Sequence, residues 1–235
     1  MIIAANLKTN LTRIATAAYI NELESFIKTS HIKEEVLVFP AMTSLDSFST
    51  EVIVGAQNAY PTIDGAFTGE IGLGHLDEFN IRTILIGHSE RRHILGETQA
   101  QLVEKFNFYK ERGFKIVYCV GEPLEKREAG KDEMMNYVSS QYDGIDTEYK
   151  NLIIAYEPVW AIGTGLTPTL NDIQEMHTAL KEKSSAPLLY GGSVKLANAK
   201  EVLSVKNVDG VLIGSAALSI EDFCNIIRLS QDLQA

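Results

Sequence analysis

Short apolar runs rich in β-branched residues recur along the chain, at residues 2–6, 36–39, 52–57, 83–87, 115–120, 152–156, 187–191 and 208–214. Both parities of each run are apolar, whereas a strand with one wet face would alternate. Each run therefore reads as a strand buried on both sides. Between most of them the period changes to that of an amphipathic helix, as at 15–28, 99–112, 172–183 and 197–203. Strand, helix, strand, repeated, implies parallel pairing through right-handed crossovers.

About eight such units in 235 residues fit an α/β fold of one particular kind, a closed, parallel, eight-stranded (β/α)8 barrel. The rival is an open doubly wound sheet, but the Gly-rich fingerprint expected after its first strand is absent. No Pro/Gly/Ser-rich linker or composition shift divides the chain, so residues 1–235 are expected to form a single barrel domain. Two connections stand out, and both follow strands. The segment 58–78, containing PTIDGAFTGEIGLGH, exceeds the usual length of a βα loop. The other, 158–167, follows the sixth strand and carries Trp160, the only tryptophan. Barrels of this type keep their chemistry on that face.

Composition narrows the partners. Hydrophobic residues make up 45% and charged residues 22%, enough for a substantial core without disulfide or metal. The formal net charge of −10 disfavours nucleic acid or an anionic membrane surface as partner, since both rely on clustered Lys and Arg. A small anionic substrate stays open, because a site can be locally positive on an acidic protein. Cys119 and Cys224 lie far apart with no Cys or His at metal-ligand spacing, so two reduced thiols and no metal are expected. The opening MIIAANLKTN lacks the basic lead and cleavage site of a secretory signal, and no apolar run approaches the ~18 residues of a spanning helix. The expected compartment is the cytoplasm.

The C-terminal ends of the strands carry the candidate chemistry. Asn6 and Lys8 follow the first strand, His88 and Glu90 the fourth, and Glu157 ends the sixth; glycine-rich turns follow the seventh and eighth. These supply a base, an electrophile, a cation and cradles for an anion. Taken singly, each has an ordinary reading as a loop lysine, a turn residue, a structural histidine or a strand terminus. Their common position at strand ends is what makes a site. No Walker-type glycine-lysine loop is present, so nucleotide phosphates are not indicated.

The segment AYEPVWAIGTG (155–165) resembles the signature and lid of the triosephosphate isomerase family. IGHSERR (86–92), CVGE with REAGK (119–122 and 127–131) and LLYGGSV (188–194) are similar to further motifs of that family, in the same order. The resemblance covers nearly the whole chain. It implies a TIM barrel that interconverts glyceraldehyde 3-phosphate and dihydroxyacetone phosphate without a cofactor. Glu157 would be the catalytic base and His88 a neutral electrophile, the charge on its ring being disfavoured by a helix beginning at Ser89. Lys8 and Asn6 would stabilise charge on substrate oxygens, and Glu90 would complete the network beside them. Gly163, Ser193, Gly214 and Ser215 would hold the phosphate through backbone amides, aided by a helix starting just after Gly214. Residues 158–167 would close over the substrate. The loop with Phe67, Thr68, Gly69 and Glu70 would insert into a second subunit of a homodimer, with Arg91 a partner for Glu70.

Four places depart from the family pattern. Leu7 and Thr9 flank Lys8 where the family has Trp and Met, which points to altered packing. Leu166 stands in a shortened far hinge of the lid, and Ser215 replaces the second glycine of the last phosphate turn. The stretch 141–150 is also short. The competing readings are another sugar-phosphate isomerase on the same barrel, which leaves the lid motif and His88 unexplained, and a catalytically silent barrel acting as a binding protein. A silent barrel would be free to lose Glu157, His88 or Lys8, and all three are present.

Overall fold

A computed structural model describes residues 1–162 and 166–234. The strands are β1 (Ile2–Asn6), β2 (Glu35–Phe39), β3 (Ile53–Val54), β4 (Thr83–Ile86), β5 (Lys115–Val120), β6 (Leu152–Tyr156), β7 (Leu188–Tyr190) and β8 (Gly210–Ile213). The helices are α1 (Arg13–Thr29), α2 (Leu73–Glu78), α3 (Ser89–His93), α4 (Gln99–Lys110), α5 (Leu124–Glu128), α6 (Lys131–Ser140), α7 (Leu170–Lys181), α8 (Leu196–Leu203) and α9 (Ile220–Asp232). All strand pairs are parallel, in the order β3-β2-β1-β8-β7-β6-β5-β4.

The two ends of that order meet at a single point. The Gly55 amide still donates to Val38 of β2 at 2.9 Å, but the next residue turns to β4. Ala56 donates to the Thr83 carbonyl and accepts from the Leu85 amide, both at 2.9 Å. The chain changes neighbour at Gly55, where a Cβ would stand 2.4 Å from the Phe39 ring. Only glycine lets the backbone pass that close. This explains why β3 has two ladder residues where the apolar run predicts six: its second half bridges the seam instead of extending the ladder.

Alternation along each strand separates two cores. Ala4, Leu37, Phe39, Leu85, Val117, Cys119, Ile153, Ala155, Leu189 and Leu212 fill the barrel interior. The intervening residues, such as Ile3, Val36, Ile84, Tyr118, Ile154 and Val211, pack outward under the helices. Interior positions thus run 4 then 6 in β1, and 153, 155 then 157 after β6. The pleat aims Asn6 and Glu157 into the barrel mouth, one step beyond the last apolar interior residue.

The helix forecasts hold for α1, α4, α7 and α8, with ends displaced by one or two residues. The helix expected just after Gly214 is a short 3₁₀ helix, Ser215–Leu218, with Gly214 as its N-cap; α9 follows at Ile220, capped by the Ser219 side chain. A short 3₁₀ turn brings the backbone round tightly, so the chain leaves β8 across the barrel mouth before the helix starts. Both cysteines are free and buried. No helix among the described residues is long and apolar enough to cross a membrane.

α7 is tied to the barrel through His177, which is fully buried. Its Nδ1–H donates to the Asn207 carbonyl at 2.9 Å, while Nε2 has no hydrogen-bond partner among the described residues. Burial pushes its pKa down to about 4, the Asn207 contact offsetting only part of this. As pH falls from 6.5 towards 4 the unfolded chain takes up a proton that the folded one refuses, so stability is lost across that window. The native protein should lose about 2 kcal/mol more between pH 7 and pH 4.5 than His177→Gln, which keeps a donor for Asn207 but does not titrate. Urea unfolding at the two pH values, at one protein concentration, measures the difference.

Candidate active site

The strand ends surround a cavity of ≈ 410 Å³, a size suited to a small molecule. Asn6, Lys8, His88, Glu90, Glu157, Ser193, Gly214 and Ser215 all line it, so eight of the nine proposed site residues are brought together. The ninth, Gly163, lies outside the described residues. Asn10, Ser89, His93, Ile94, Val159, Ile162, Gly191 and Gly192 complete much of the wall.

Glu157 is 2% exposed. Its Oε1 lies 2.9 Å from His88 Nε2, and its Oε2 accepts the Ser89 amide at 2.8 Å. The Ser89 hydroxyl donates to Oε1 at 3.3 Å. On the other side of the imidazole, the Glu90 amide donates to Nδ1 at 3.3 Å. A ring nitrogen that accepts cannot carry the proton, so the proton sits on Nε2 and is donated to Glu157. Burial alone would push Glu157 up and His88 down, each toward its neutral form. The close contact more than offsets burial, and Glu157 lies below and His88 above the ordinary value. Much of what raises His88 is therefore the Glu157 carboxylate itself.

Two glycines let Glu157 sit where it does. A Cβ on Gly191 would lie 3.0 Å from Glu157 Cγ, and one on Gly121 would lie 1.7 Å from the Glu157 carbonyl oxygen. Cys119 is buried below the carboxylate, where burial first and the Glu157 charge second push its thiol pKa well up. It packs in the barrel interior.

Lys8 reaches the cavity from the opposite wall. Its Nζ donates to Glu90 Oε1 at 2.6 Å, and its side chain is 30% exposed. The Lys8 backbone is left-handed, with φ +51°. Such a conformation costs a residue with a Cβ about 1–2 kcal/mol, and observed cases cluster at working sites. Lys8 is the one Lys or Arg among the described residues lining the cavity. Ser193, Gly214 and Ser215 otherwise offer an anion the small side chains and backbone of the turns after β7 and β8. Leu7, in place of a larger aromatic, is fully buried in the outer core and leaves the Lys8 contacts intact.

The roots of the segment after β6 share one anchor. Trp160 Nε1–H donates to Glu122 Oε1 at 2.9 Å, and the Tyr156 hydroxyl donates to the same oxygen at 3.1 Å. Arg127 lies over the Trp160 ring at 4.3 Å and donates to Asp172 Oδ1 at 2.6 Å. Asp172 in turn accepts the Thr169 amide at 2.9 Å. The near root (158–162) and the far root (166–169) are thus tied to Arg127. Burial pushes the Glu122 pKa up, only partly offset by its donors. The REAGK and CVGE motifs had marked these residues, but not that they meet. Gln57, Asn10 and His93 did not stand out in the sequence; none has a local pattern that sets it apart.

The long loop after β3 keeps Phe67 partly exposed, at 41%, stacked on Tyr60 with ring centroids 4.3 Å apart. Arg91, expected to meet Glu70 of a second subunit, also pairs within its own chain with Glu97 at 2.6 Å, and Glu97 also binds Lys105.

The family model for triosephosphate isomerase matches residues 1–230. The chain is 66% identical over 233 residues to the triosephosphate isomerase of Sulfurimonas denitrificans, covering 99% of this chain and 97% of that one. It is 54% identical over 227 residues to that of a Sulfurovum species (97% and 99% covered) and 53% identical over 230 residues to that of Wolinella succinogenes (97% and 99%). On a match of this extent, the chain belongs to the triosephosphate isomerase family.

Proposed function

We propose that the chain interconverts glyceraldehyde 3-phosphate and dihydroxyacetone phosphate, as the isomerase step of glycolysis and gluconeogenesis, with Glu157 as the base. The observation that carries this reading is the buried Glu157 carboxylate, 2.9 Å from His88 Nε2, in a cavity whose far wall presents Lys8.

In this reading Glu157 leaves Ser89 and His88 and turns to the substrate. It takes a proton from the carbon beside the carbonyl and returns it to the neighbouring carbon. A carboxylate on two flexible bonds can serve both atoms without backbone movement. Once the carboxylate has moved, His88 loses the charge that raises its pKa, while the Glu90 amide still points at Nδ1. The ring then works as a neutral donor through Nε2–H to the enediolate oxygens. Lys8 and Asn6 stabilise the same developing charge, and Glu90 holds the ammonium in place.

The phosphate is bound by Gly163, Ser193, Gly214 and Ser215, so that a protein of net charge −10 takes a dianion through amides and a single lysine. The segment 158–167 closes over the substrate and excludes water, which keeps the enediolate from eliminating phosphate. Release of Trp160 from Glu122 or of Arg127 from Asp172 is the local cost of that movement. The chain acts as one barrel domain in the cytoplasm and pairs with a second copy through the loop around Phe67, Thr68, Gly69 and Glu70.

Native protein should interconvert the two triose phosphates rapidly, and Glu157→Gln should lower kcat by about 10²-fold or more with its fold retained. A coupled assay in both directions measures this; a folded native protein without turnover would overturn the assignment. Phe67→Glu should shift the dimer toward monomer in sedimentation equilibrium, by placing a charge in a contact that excludes water. An unchanged dimer would remove that loop from the interface.

A further inference from the structure

The outside of the barrel carries a second cavity, of ≈ 540 Å³ against ≈ 410 Å³ for the one at the strand ends. Among the described residues the two share none of their lining. The second lies between α6 and α7, and one face of each helix builds it. On α6, Lys131, Met134 and Met135 stand at i, i+3 and i+4. On α7 and its C-cap, Asp172, Glu175, Met176, Ala179 and Glu182 keep the same period. Residues so spaced share a helix face, so the two faces look at each other across the gap.

The floor is apolar and adaptable. Met134 and Met176 are buried and Met135 is half-buried, which puts three thioethers in one cavity. Methionine is unbranched and polarisable, so such a floor reshapes around an apolar guest and favours an aromatic ring at about 5 Å from sulfur. A cavity of this size with an apolar floor and a few charges has the form of a small-molecule site.

The charges select the guest. Three carboxylates line the cavity, on Asp172, Glu175 and Glu182, against two cations, on Arg127 and Lys131. Both cations are engaged. Arg127 donates to Asp172 at 2.6 Å and to the Met134 sulfur at 3.8 Å, and Lys131 Nζ lies 3.9 Å from Glu175 Oε2. Glu182 is exposed and has no ion pair among the described residues. An anion would meet a surplus carboxylate here, whereas a cation finds one waiting. Arg127 also lies over the ring of Trp160, so a guest in this cavity touches a residue that grips the segment after β6.

We propose that the cavity between α6 and α7 binds a small organic ammonium ion with an aromatic body, its ring on the methionines and its charge toward the carboxylates of α7, and that occupancy is transmitted to Trp160 through Arg127. The site is independent of the isomerase reading and is tested without an activity assay.

Phenethylammonium is the probe. Titrated into the native protein in a calorimeter, it should bind once per chain with a Kd of about 1 mM or tighter. Phenylacetate, with a similar ring and the opposite charge, should bind at least about 10-fold more weakly. Glu175→Gln combined with Glu182→Gln should raise the Kd about threefold or more, as loss of exposed charge pairs does. Met135→Lys, which brings an ammonium of its own into the cavity, should abolish binding. Emission from Trp160, the only tryptophan, should change along the same saturation curve. No saturable binding overturns the site, and so does equal binding of phenylacetate, since the carboxylates would then select nothing. Binding that survives Met135→Lys lies elsewhere and overturns it too. Saturation with Trp160 emission unchanged overturns the link through Arg127. If a second copy of the chain covers this groove instead, the probe fails to bind and Met135→Lys lowers the mass in sedimentation equilibrium, which also overturns the proposal.

Discussion

One seam holds the site together. At Gly55 and Ala56 the chain stops pairing with β2 and begins pairing with β4, and only there does the row of strands become a ring. Without that exchange, the end of β1 with Asn6 and Lys8 would not face the end of β4 with His88 and Glu90. The lysine and the histidine belong to strands with no ladder between them. They meet across the mouth because the ring is closed, and the Lys8–Glu90 contact at 2.6 Å is one consequence.

Within the ring, charge is arranged to be held until it is needed. Glu157 and His88 are both almost wholly buried, where each alone would tend toward its neutral form. Their contact, together with the Ser89 amide, lets the carboxylate stay ionised without water. The cavity brings one lysine and the backbone of the turns after β7 and β8 together with Glu90 and Glu157. Net charge of the whole chain and potential at the site are therefore separate quantities.

The strands were legible because strands buried on both faces need continuous apolar runs, and little else in a short segment does. Their lengths were less so. The runs at 187–191 and 208–214 form ladders only over Leu188–Tyr190 and Gly210–Ile213, since pairing needs a partner at matching height and the apolar run does not encode one. The candidate residues Asn6, Lys8, His88, Glu90 and Glu157 were legible by position at strand ends and by motif. Gln57 was not, because a glutamine ending an apolar run looks like any strand terminus until Lys8 and Phe39 stand within 3 Å of it. The same holds for the meeting of Glu122, Arg127 and Asp172 under the roots of the segment after β6.

By itself the sequence determined the βα alternation, the two-sided burial of the strands and the family, because these depend on local period and on ordered motifs. The alternating pleat also follows from it, and places Asn6 and Glu157 on the interior parity. Only the tertiary structure decided where the ring closes, that Glu122, Arg127 and Asp172 meet, and that Lys8 is pinned on both sides. Each of these depends on distances between residues far apart in the chain, and such distances exist only after the barrel has closed.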